Sequence, residues 1–459
     1  LVACARVSLF IFRYFMSRKS GSYQADDVLC FSDSIELIPY EDKTLALSVD
    51  TGNWIVLYND SQLRYFRRLL SGATIGEAYE EAQREDALPD LMRVLSSIYA
   101  RIFGQVGHLP VATVVNASKY LNVYLTNACN LHCVHCFMNA GTKLEYELNA
   151  EKWKAVLQDF AQASGQFVTF TGGEPTMYDG FEEVVTFAHQ LGLKVTVLSN
   201  GLLWTEEQIL RIKPYIDEIQ FSIDGVTEQD NAKVRGKNHF QKVVDTVCRF
   251  AMTDVRTSVA TTFTWENLST ADAYRQFVDS IKKRVGDRVF FKLTKKILPG
   301  RGKAFSEEEN RRYYEQIDAI ERYVDSTAGY ANFIEGHEPN VMIRNCGFGG
   351  LSISSNGNVY FCNRIHEVDC FGNVNRDGFL DVLAKGKQVL NDTAVENITP
   401  CQDCSLRYIC GGDCRIDNFN FKGHLKSWNK EYVQTRCTDE FKERLIKKMV
   451  DSFTFYYNV

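Results

Sequence analysis

Hydrophobic and polar residues alternate with two different periods in the first part of the chain. Between residues 28 and 104, short alternating runs come first, and longer runs with helical spacing follow them. The alternating runs are SIELIPY, TLALSV and WIVLYN, and the helical ones include SQLRYFRRLLSG, TIGEAYEEAQ and LPDLMRVLSSIYARIFG. This order predicts a small module in which strands precede helices.

Residues 120–303 repeat strand-like and helix-like runs in alternation. Helical stretches such as NAEKWKAVLQDFAQA and FEEVVTFAHQLG separate six β-runs, which are YLNVYLT, QFVTFTG, LKVTVLSN, EIQFSID, RTSVATTF and RVFFKLT. The alternation predicts an α/β fold built from parallel βαβ units, either a full or partial barrel or a doubly wound sheet. In each of these folds chemistry gathers at the carboxyl ends of the strands.

The remaining segments have a different character. Residues 105–119 lack helical periodicity and contain Gly and Pro, which predicts a linker. We expect a helical bridge over 304–340, a cysteine-rich domain over 341–440 and a C-terminal helix or tail over 441–459.

Composition limits the class of protein. A chain of 459 residues with 45 % apolar and 24 % charged residues is typical of a globular protein of about three domains. The net charge of −6 provides no global positive field, so we expect neither nucleic acid nor a membrane as a partner.

Residues 1–15 are apolar enough to suggest a signal peptide. Arg6 and Arg13 interrupt the run, it is too short to span a bilayer, and no cleavage site follows it. We therefore expect native translation to start at Met16 and the protein to be cytoplasmic, where thiols stay reduced.

Cys4, Cys30 and Cys248 are scattered, but the other eleven of the 14 cysteines are clustered, and clustering favours metal ligands over disulfides. Cys129, Cys133 and Cys136 form a C-x3-C-x2-C pattern directly after the first strand of the α/β region. Three thiolates on one loop can hold three corners of a 4Fe–4S cube and leave its fourth iron open. Zinc is the alternative, with His132 or His135 as the fourth ligand.

This loop, with a ring-bearing residue before its last cysteine, resembles the signature of the radical S-adenosylmethionine (SAM) superfamily. Further matches are TGGEP after the second strand, Ser199-Asn200-Gly201 after the third, Ser222-Ile223-Asp224-Gly225 after the fourth, and Arg235. The resemblance implies a partial (β/α)6 TIM-like barrel. It also implies SAM contacts from His135, Thr171, Gly172, Gly173, Glu174, Ser199, Asn200, Ser222 and Arg235.

Individual roles follow from the same resemblance. His135 would lie beside the adenine, Glu174 and its turn would bind the amino group, Ser222 the ribose, and Arg235 the carboxylate. Thr171 stands where many relatives carry Gln. The implied chemistry is one-electron cleavage of SAM to methionine and a 5′-deoxyadenosyl radical, which abstracts a substrate hydrogen.

The cysteine-rich region resembles the SPASM extension of radical SAM enzymes that modify peptides and proteins. Its pattern includes C-x2-C-x5-C-x3-C and a predicted hairpin turning at Asn356-Gly357. The resemblance implies two auxiliary 4Fe–4S clusters, three clusters in all. One would be ligated by Cys401, Cys404, Cys410 and Cys437, and the other by Cys346, Cys362 and Cys414. A zinc ribbon would explain only four of these seven cysteines.

Ser352 occupies a position where relatives place a further cysteine. The cluster of Cys346, Cys362 and Cys414 therefore either has an open iron or takes Cys370 as its fourth ligand. An open iron could bind a substrate thiolate and would favour thioether formation.

Residues 28–104 resemble the winged-helix precursor-recognition domain of many peptide maturases. Such a domain binds a leader peptide as an added strand on its ribbon edge. The alternative is a capping domain without a ligand, and the segment lacks the strongly basic helix that DNA binding requires.

The leading hypothesis is a radical SAM/SPASM maturase that binds a ribosomally made precursor by its leader and installs a cross-link, with flavodoxin or ferredoxin as electron donor. Alternatives are a sulfatase-maturing enzyme that forms formylglycine, a peptide epimerase, and a non-catalytic iron–sulfur electron carrier. The sequence leaves open the precursor, the bond formed (thioether, C–C or C–O), the oligomeric state and the general base. Candidates near strand ends are Asp224, His239, Glu266 and Lys295.

Overall fold

The computed structural model describes residues 23–108, 110–114, 117–298, 300–302, 305–325, 328–421, 428–433 and 437–457. The expected start at Met16 and the apolar run over 1–15 lie outside the described residues. No helix within these ranges is long and apolar enough to cross a membrane.

Strands are numbered β1 to β16 in chain order. They are Leu29–Cys30, Ile35–Tyr40, Lys43–Ser48, Asn53–Leu57, Gln105–Val106, Thr113–Val114, Tyr120–Tyr124, Phe167–Thr171, Lys194–Ser199, Glu218–Ser222, Arg256–Thr261, Val289–Leu293, Val341–Met342, Leu351–Ile353, Asn358–Tyr360 and Gly372–Asn373. All nine strands predicted before residue 303 are present.

Helices are numbered α1 to α15 in the same way. They are Asp60–Leu70, Ile75–Arg84, Leu88–Ala100, Ala150–Gln162, Phe181–Gln190, Glu206–Ile212, Glu228–Arg235, Phe240–Ala251, Ala271–Val285, Glu307–Val324, Ala328–Glu335, Phe379–Asp392, Arg407–Cys410, Arg415–Asn418 and Asp439–Tyr457.

The central sheet has the strand order β12-β11-β10-β9-β8-β7-β14-β15-β16. Strands β7 to β12 pair in parallel with their sequence neighbours, as the alternating βα pattern predicts. β14 pairs in parallel with the outer edge of β7, and β15 and β16 continue the sheet as antiparallel strands. The cysteine-rich region therefore extends the α/β sheet directly, a connection that the sequence did not predict.

The predicted hairpin of the cysteine-rich region is formed by β14 and β15. Ser352 lies opposite Tyr360, and Ile353 lies opposite Val359. Gly357 has a φ of 85°, a backbone conformation that favours glycine over residues with a side chain.

The N-terminal module contains an antiparallel sheet in the order β2-β3-β4, followed by α1 to α3. A capping box starts α2: the Thr74 hydroxyl accepts a hydrogen bond from the Glu77 backbone, and the Glu77 carboxylate accepts one from the Thr74 backbone, both at 3.1 Å. The assignment of this module as a winged helix stays a prediction.

Two short strands form inside the segment that was expected to be a linker. β5 pairs antiparallel with β1, and β6 pairs in parallel with β13. Two-residue strands carry no periodic pattern, which is why the sequence showed only an irregular segment. The domain boundaries stay predictions.

The N-terminal module shares its hydrophobic core with the C-terminal helix α15. Met449, Val450 and Phe453 of that helix are buried in the same cluster as Trp54 and Phe66. The Trp54 indole donates a hydrogen bond to the Met449 carbonyl at 3.3 Å. The N-terminal module and α15 therefore form one structural unit.

Ile219 in β10 is fully buried at the middle of the parallel sheet. We expect Ile219→Ala to lower the free energy of unfolding by about 2–5 kcal/mol, and Ile219→Val by about 0.5–1.5 kcal/mol. Chemical denaturation of the protein measures both. Leu210→Ala is the control, because Leu210 is 63 % exposed and its loss should cost less than about 0.5 kcal/mol. Equal losses for Ile219→Ala and Leu210→Ala would contradict the packing of β10.

Candidate functional site

Four loops meet at the carboxyl ends of β7 to β10. The loop after β7 carries Cys129, Cys133 and Cys136, and the loop after β8 is the glycine turn. Ser199 ends β9 and Asn200 follows it, and Asp224 lies in the loop after β10. Parallel pairing requires this convergence, because it brings the ends of consecutive strands to one edge of the sheet.

The three sulfur atoms of the first loop lie close enough together to interact electrostatically. Burial, together with charge repulsion from Cys133 and Cys136, raises the pKa of Cys129 to about 11. Burial also raises the pKa of Cys133, whereas the Arg235 guanidinium lowers it. Metal ligation requires thiolates, so a cluster bound here would release the protons that burial otherwise retains.

The turn after β8 lies against the backbone that precedes the cysteine loop. The Gly173 amide donates to the Thr126 carbonyl at 2.7 Å, and the Glu174 amide donates to the Ala128 carbonyl at 2.8 Å. A Cβ on Gly172 would lie 2.4 Å from the Thr126 oxygen, and one on Gly173 would lie 2.2 Å from the Ala128 oxygen. Both positions therefore require glycine for this close approach.

The Glu174 carboxylate is 1 % exposed and accepts hydrogen bonds from two neighbouring segments. Its donors are the Thr176 amide and hydroxyl at 3.3 and 2.7 Å, the Ser199 hydroxyl at 2.8 Å and the Asn200 amide at 2.7 Å. Burial raises the pKa of Glu174, and these hydrogen bonds lower it. The carboxylate thus joins the loops after β8 and β9, and the backbone of the turn offers the polar groups for a ligand.

Asn200 extends from this joint toward the cysteine loop. Its side-chain amide donates to the Asn130 side chain at 2.7 Å and lies 4.0 Å from the Cys129 sulfur. Asn200 therefore lies beside the cysteine loop, and the SAM contacts expected of Ser199 and Asn200 stay predictions.

Asp224 is the centre of a buried ionic group. Its Oδ2 accepts from Arg235 Nε at 2.5 Å and contacts His135 Nε2 at 2.8 Å, and its Oδ1 accepts from the Thr262 amide at 2.7 Å. Although burial opposes ionisation, Arg235 and His135 lower the pKa of Asp224 to about 2. The carboxylate is therefore charged and orients both predicted SAM-binding side chains.

Arg235 also reaches the first cysteine loop, since its Nη1 lies 3.8 Å from the Cys133 sulfur. Ser222 and Thr171 are the last residues of β10 and β8, and the Thr171 carbonyl accepts from the Leu125 amide at 3.0 Å. The structure thus brings the predicted SAM-contacting residues to one edge of the sheet. Their individual ligand contacts stay predictions.

A segment after β12, residues 300–302, lies across the cysteine loop. The Arg301 amide donates to the Cys136 carbonyl at 2.9 Å, and its guanidinium donates to the Cys133 carbonyl at 3.0 Å and to the Ala140 carbonyl. A Cβ on Gly300 would lie 2.6 Å from the Cys136 oxygen. The sequence alone does not predict a role for residues 300–302. The two glycines on either side of Arg301 are the one feature that indicates a close backbone contact.

Cys346, Cys362 and Cys414 are brought together from three separate parts of the cysteine-rich region. Burial, together with charge repulsion from the neighbouring Cys346 and Cys414, raises the pKa of Cys362 to about 12. Ser352 is fully buried in β14, and its hydroxyl accepts from the Asn122 side chain at 3.4 Å.

Cys370 is exposed, and its thiol donates to the Gly372 carbonyl at 3.0 Å. It also lies near the Tyr360 ring, whose pKa is raised by burial and by Cys370. The choice between Cys370 and an open iron stays a prediction.

Cys401, Cys404, Cys410 and Cys437 line one cavity of about 230 Å³. Burial, together with charge repulsion from the other three cysteines, raises the pKa of Cys401 to about 12. Four thiols around one cavity fit the donor set of a fully ligated 4Fe–4S cluster.

Within the part of the chain that the structure describes, no three His, Cys, Asp or Glu side chains are placed to bind one metal ion. A 4Fe–4S cube attaches its thiolates to separate irons and does not require the sulfurs to converge on one point.

Most of the residues named as possible general bases have other partners. Asp224 pairs with Arg235, His239 Nδ1 lies 3.2 Å from the Arg235 carbonyl, and Lys295 pairs with Asp318 at 3.0 Å. Glu266 is exposed. The general base stays unassigned.

Comparison with known proteins identifies two regions. Residues 123–277 match the radical SAM superfamily, and residues 345–405 match the SPASM iron–sulfur cluster-binding domain. The sporulation killing factor maturation protein SkfB of Bacillus subtilis is 34 % identical over 157 residues, which are 34 % of this chain and 37 % of that protein. The mycofactocin maturase MftC of Mycolicibacterium smegmatis is 27 % identical over 314 residues, 64 % of this chain and 77 % of that protein.

The fold is similar to that of a solved structure of Streptococcus suis SuiB bound to its precursor peptide SuiA. The similarity covers 90 % of this chain and 100 % of that chain, with a TM-score of 0.51 and 15 % sequence identity.

Arg301 generates a prediction about cluster loading. We expect Arg301→Gln to lose at least half of the iron bound at the first cysteine loop. The Cys133 and Ala140 carbonyls lose the guanidinium as their donor, and the backbone amide that donates to the Cys136 carbonyl is no longer held in place. Iron and sulfide analysis after anaerobic reconstitution measures the loss. Arg211→Gln is the matched control, since Arg211 pairs with Glu182 on exposed helices. Full iron content in Arg301→Gln would show that the hydrogen bonds of Arg301 do not hold the cysteine loop in its cluster-binding conformation.

Proposed function

Because this chain belongs to the radical SAM enzymes that carry a SPASM domain, we propose that it modifies a ribosomally made precursor peptide and installs a cross-link in it. When bound, the first cluster and SAM supply an electron and a 5′-deoxyadenosyl radical that abstracts a substrate hydrogen. The observation that supports this most is the convergence of the three-cysteine loop, the glycine turn after β8 and the Asp224–Arg235 pair at one sheet edge.

The residues of the chain hold and orient these groups. Cys129, Cys133 and Cys136 would ligate the first cluster, and the backbone around Gly173 would bind the amino group of SAM. Arg235, held by Asp224 through Nε, would use its remaining N–H groups for the carboxylate. An electron carrier has no use for such a pocket, which argues against that alternative.

The comparisons imply iron–sulfur clusters and SAM, and we propose three 4Fe–4S clusters. The two auxiliary sets would be Cys346, Cys362 and Cys414, and the four cysteines around the cavity of about 230 Å³. We propose flavodoxin or ferredoxin as the electron donor and the cytoplasm as the compartment.

A peptide substrate is favoured by the relatives and by the N-terminal module. SkfB and MftC are maturation proteins by name, and SuiB binds a precursor peptide in its solved structure. Formylglycine formation, as in sulfatase maturation, would not need the module ahead of Cys129. The bond formed, thioether or C–C, is left to the product analysis below.

The N-terminal sheet offers one edge for a leader peptide. The residues of β4 are at most 1 % exposed, so that edge is covered, whereas β2 is half-buried to exposed along its length. Pro39 in β2 lies opposite Thr44 in β3. Proline has no N–H to donate to the neighbouring strand, so its nitrogen is placed on the outer side of β2. Every second residue of a strand points its N–H to the same side, and the N–H groups of Ile35 and Leu37 therefore also face outward.

The first test is iron content and SAM cleavage. We expect about twelve irons per chain after anaerobic reconstitution, and dithionite-dependent release of methionine and 5′-deoxyadenosine. Replacing Cys129, Cys133 and Cys136 with Ala should remove about four irons and abolish cleavage. Cys30→Ser is the control and should change neither value.

Two outcomes would contradict this assignment. Stoichiometric zinc with little iron would exclude radical chemistry, and about eight irons would mean that one cysteine set is wrongly assigned. Mass spectrometry of the precursor encoded beside the gene, after incubation with the enzyme, identifies the product. A loss of two hydrogens indicates a cross-link if peptide fragmentation shows two joined residues, and formylglycine if it shows one oxidised serine. An unchanged mass with an inverted residue indicates epimerisation.

Leader binding is tested at β2. We expect Leu37→Pro to weaken binding of a fluorescent synthetic peptide, taken from the N-terminal half of that precursor, by at least tenfold, since an outward donor is lost. Leu37→Ala keeps the donor and controls for the side chain. Fluorescence anisotropy measures both, and equal affinities would place the leader elsewhere.

A further inference from the structure

Arg364 contacts the sulfur atoms of two cysteines in the cysteine-rich region. Its Nη1 lies 3.2 Å from the Cys414 sulfur, and its backbone amide donates to the Cys362 sulfur at 3.5 Å. The Arg364 side chain is 11 % exposed, so water screens its charge only weakly. A guanidinium is always charged in a protein, and here it faces a pair of proposed cluster ligands.

Two other side chains hold Arg364 in this orientation, and a third holds one of them. Glu367 binds it with both carboxylate oxygens, at 2.7 and 2.5 Å, and Asp417 accepts from Nη1 at 3.0 Å. Lys296, which follows β12, also binds Asp417. The guanidinium is therefore fixed from the cysteine-rich region and, through Asp417, from the α/β region.

Arg364 and Asp417 act on the Cys414 sulfur with opposite sign. The Arg364 Nη1 lies 3.2 Å from the Cys414 sulfur and 3.0 Å from the Asp417 carboxylate, so a positive and a negative charge both lie next to this sulfur. The guanidinium attracts negative charge on the sulfur, and the carboxylate repels it. Reduction of an iron–sulfur cluster by one electron adds one negative charge to the cluster and its sulfurs, so the same groups act on the reduced state.

We propose that Arg364 is a positioning residue that raises the reduction potential of the cluster held by Cys346, Cys362 and Cys414, and that Asp417 lowers that potential. This inference rests on the proposed function, since it requires a cluster at these cysteines. Arg364 does not line the cavity around Cys401, so its substitution should leave the reduction potential of that second auxiliary cluster unchanged.

The experiment is a potentiometric titration with dithionite, followed by electron paramagnetic resonance of the reduced cluster. It uses the full chain with Cys129, Cys133 and Cys136 replaced by Ala, so that the two auxiliary signals can be resolved. In a further variant, Cys346, Cys362 and Cys414 are also replaced with Ala. The signal that this variant loses belongs to the cluster held by these three cysteines.

In Arg364→Met, the ratio of reduced to oxidised cluster at the original midpoint should fall about tenfold, a shift of about 59 mV for one electron. Asp417→Asn should shift the same signal in the opposite direction, and Arg364→Lys should lie between Arg364→Met and the parent. Arg211→Met is the matched control, because Arg211 binds Glu182 through two nitrogens without contacting a sulfur.

The outcomes separate this inference from the proposed function. If the variant without Cys346, Cys362 and Cys414 loses no iron, the cluster assignment itself fails. If that iron is lost but Arg364→Met leaves the midpoint unchanged, or moves both auxiliary signals equally, only the role of Arg364 is overturned. Should Arg364→Met lose its cluster, Arg364→Lys and Asp417→Asn still test the sign of the effect.

Discussion

Parallel pairing of β7 to β12 is the constraint on which the rest of the structure depends. It places the carboxyl ends of consecutive strands side by side, so residues far apart in sequence become neighbours. Cys129 and Asn200 meet in this way, although they are 71 positions apart. Gly172 and Gly173 then allow the second loop to contact the first through backbone atoms alone. The site is thus built by sheet topology first and by side chains second.

Buried charge at this edge is tolerated because each charged group has specific partners. Glu174 accepts hydrogen bonds from three residues, and Asp224 binds Arg235, His135 and the Thr262 amide. An isolated buried carboxylate would be strongly unfavourable. Both carboxylates therefore serve as fixed connectors between loops, and a ligand would meet a site whose polar groups are already oriented.

The sequence predicted those features that leave a periodic or spaced signal. Strands β7 to β12, the hairpin at Gly357 and the three-cysteine loop after β7 belong to this class. The division of the later cysteines into two sets came from the family resemblance and stays a prediction. The sequence did not predict the pairing of β14 with β7, because strands of two and three residues have no period. Nor did it predict that Glu174 is enclosed by Thr176, Ser199 and Asn200, since a motif names residues without their partners. The role of Arg301 depends on carbonyl groups, which no sequence pattern displays.

The shared core of the N-terminal module and α15 affects the order in which the chain can fold during synthesis. Residues 28–104 are synthesised before Met449, Val450 and Phe453, which complete their core and follow only after the α/β and cysteine-rich regions. At about 5–20 residues per second, the module would wait on the order of 20–70 seconds with that apolar surface uncovered. During this interval it is exposed to chaperones and to aggregation. Completion of the core of the module therefore depends on synthesis having passed Phe453.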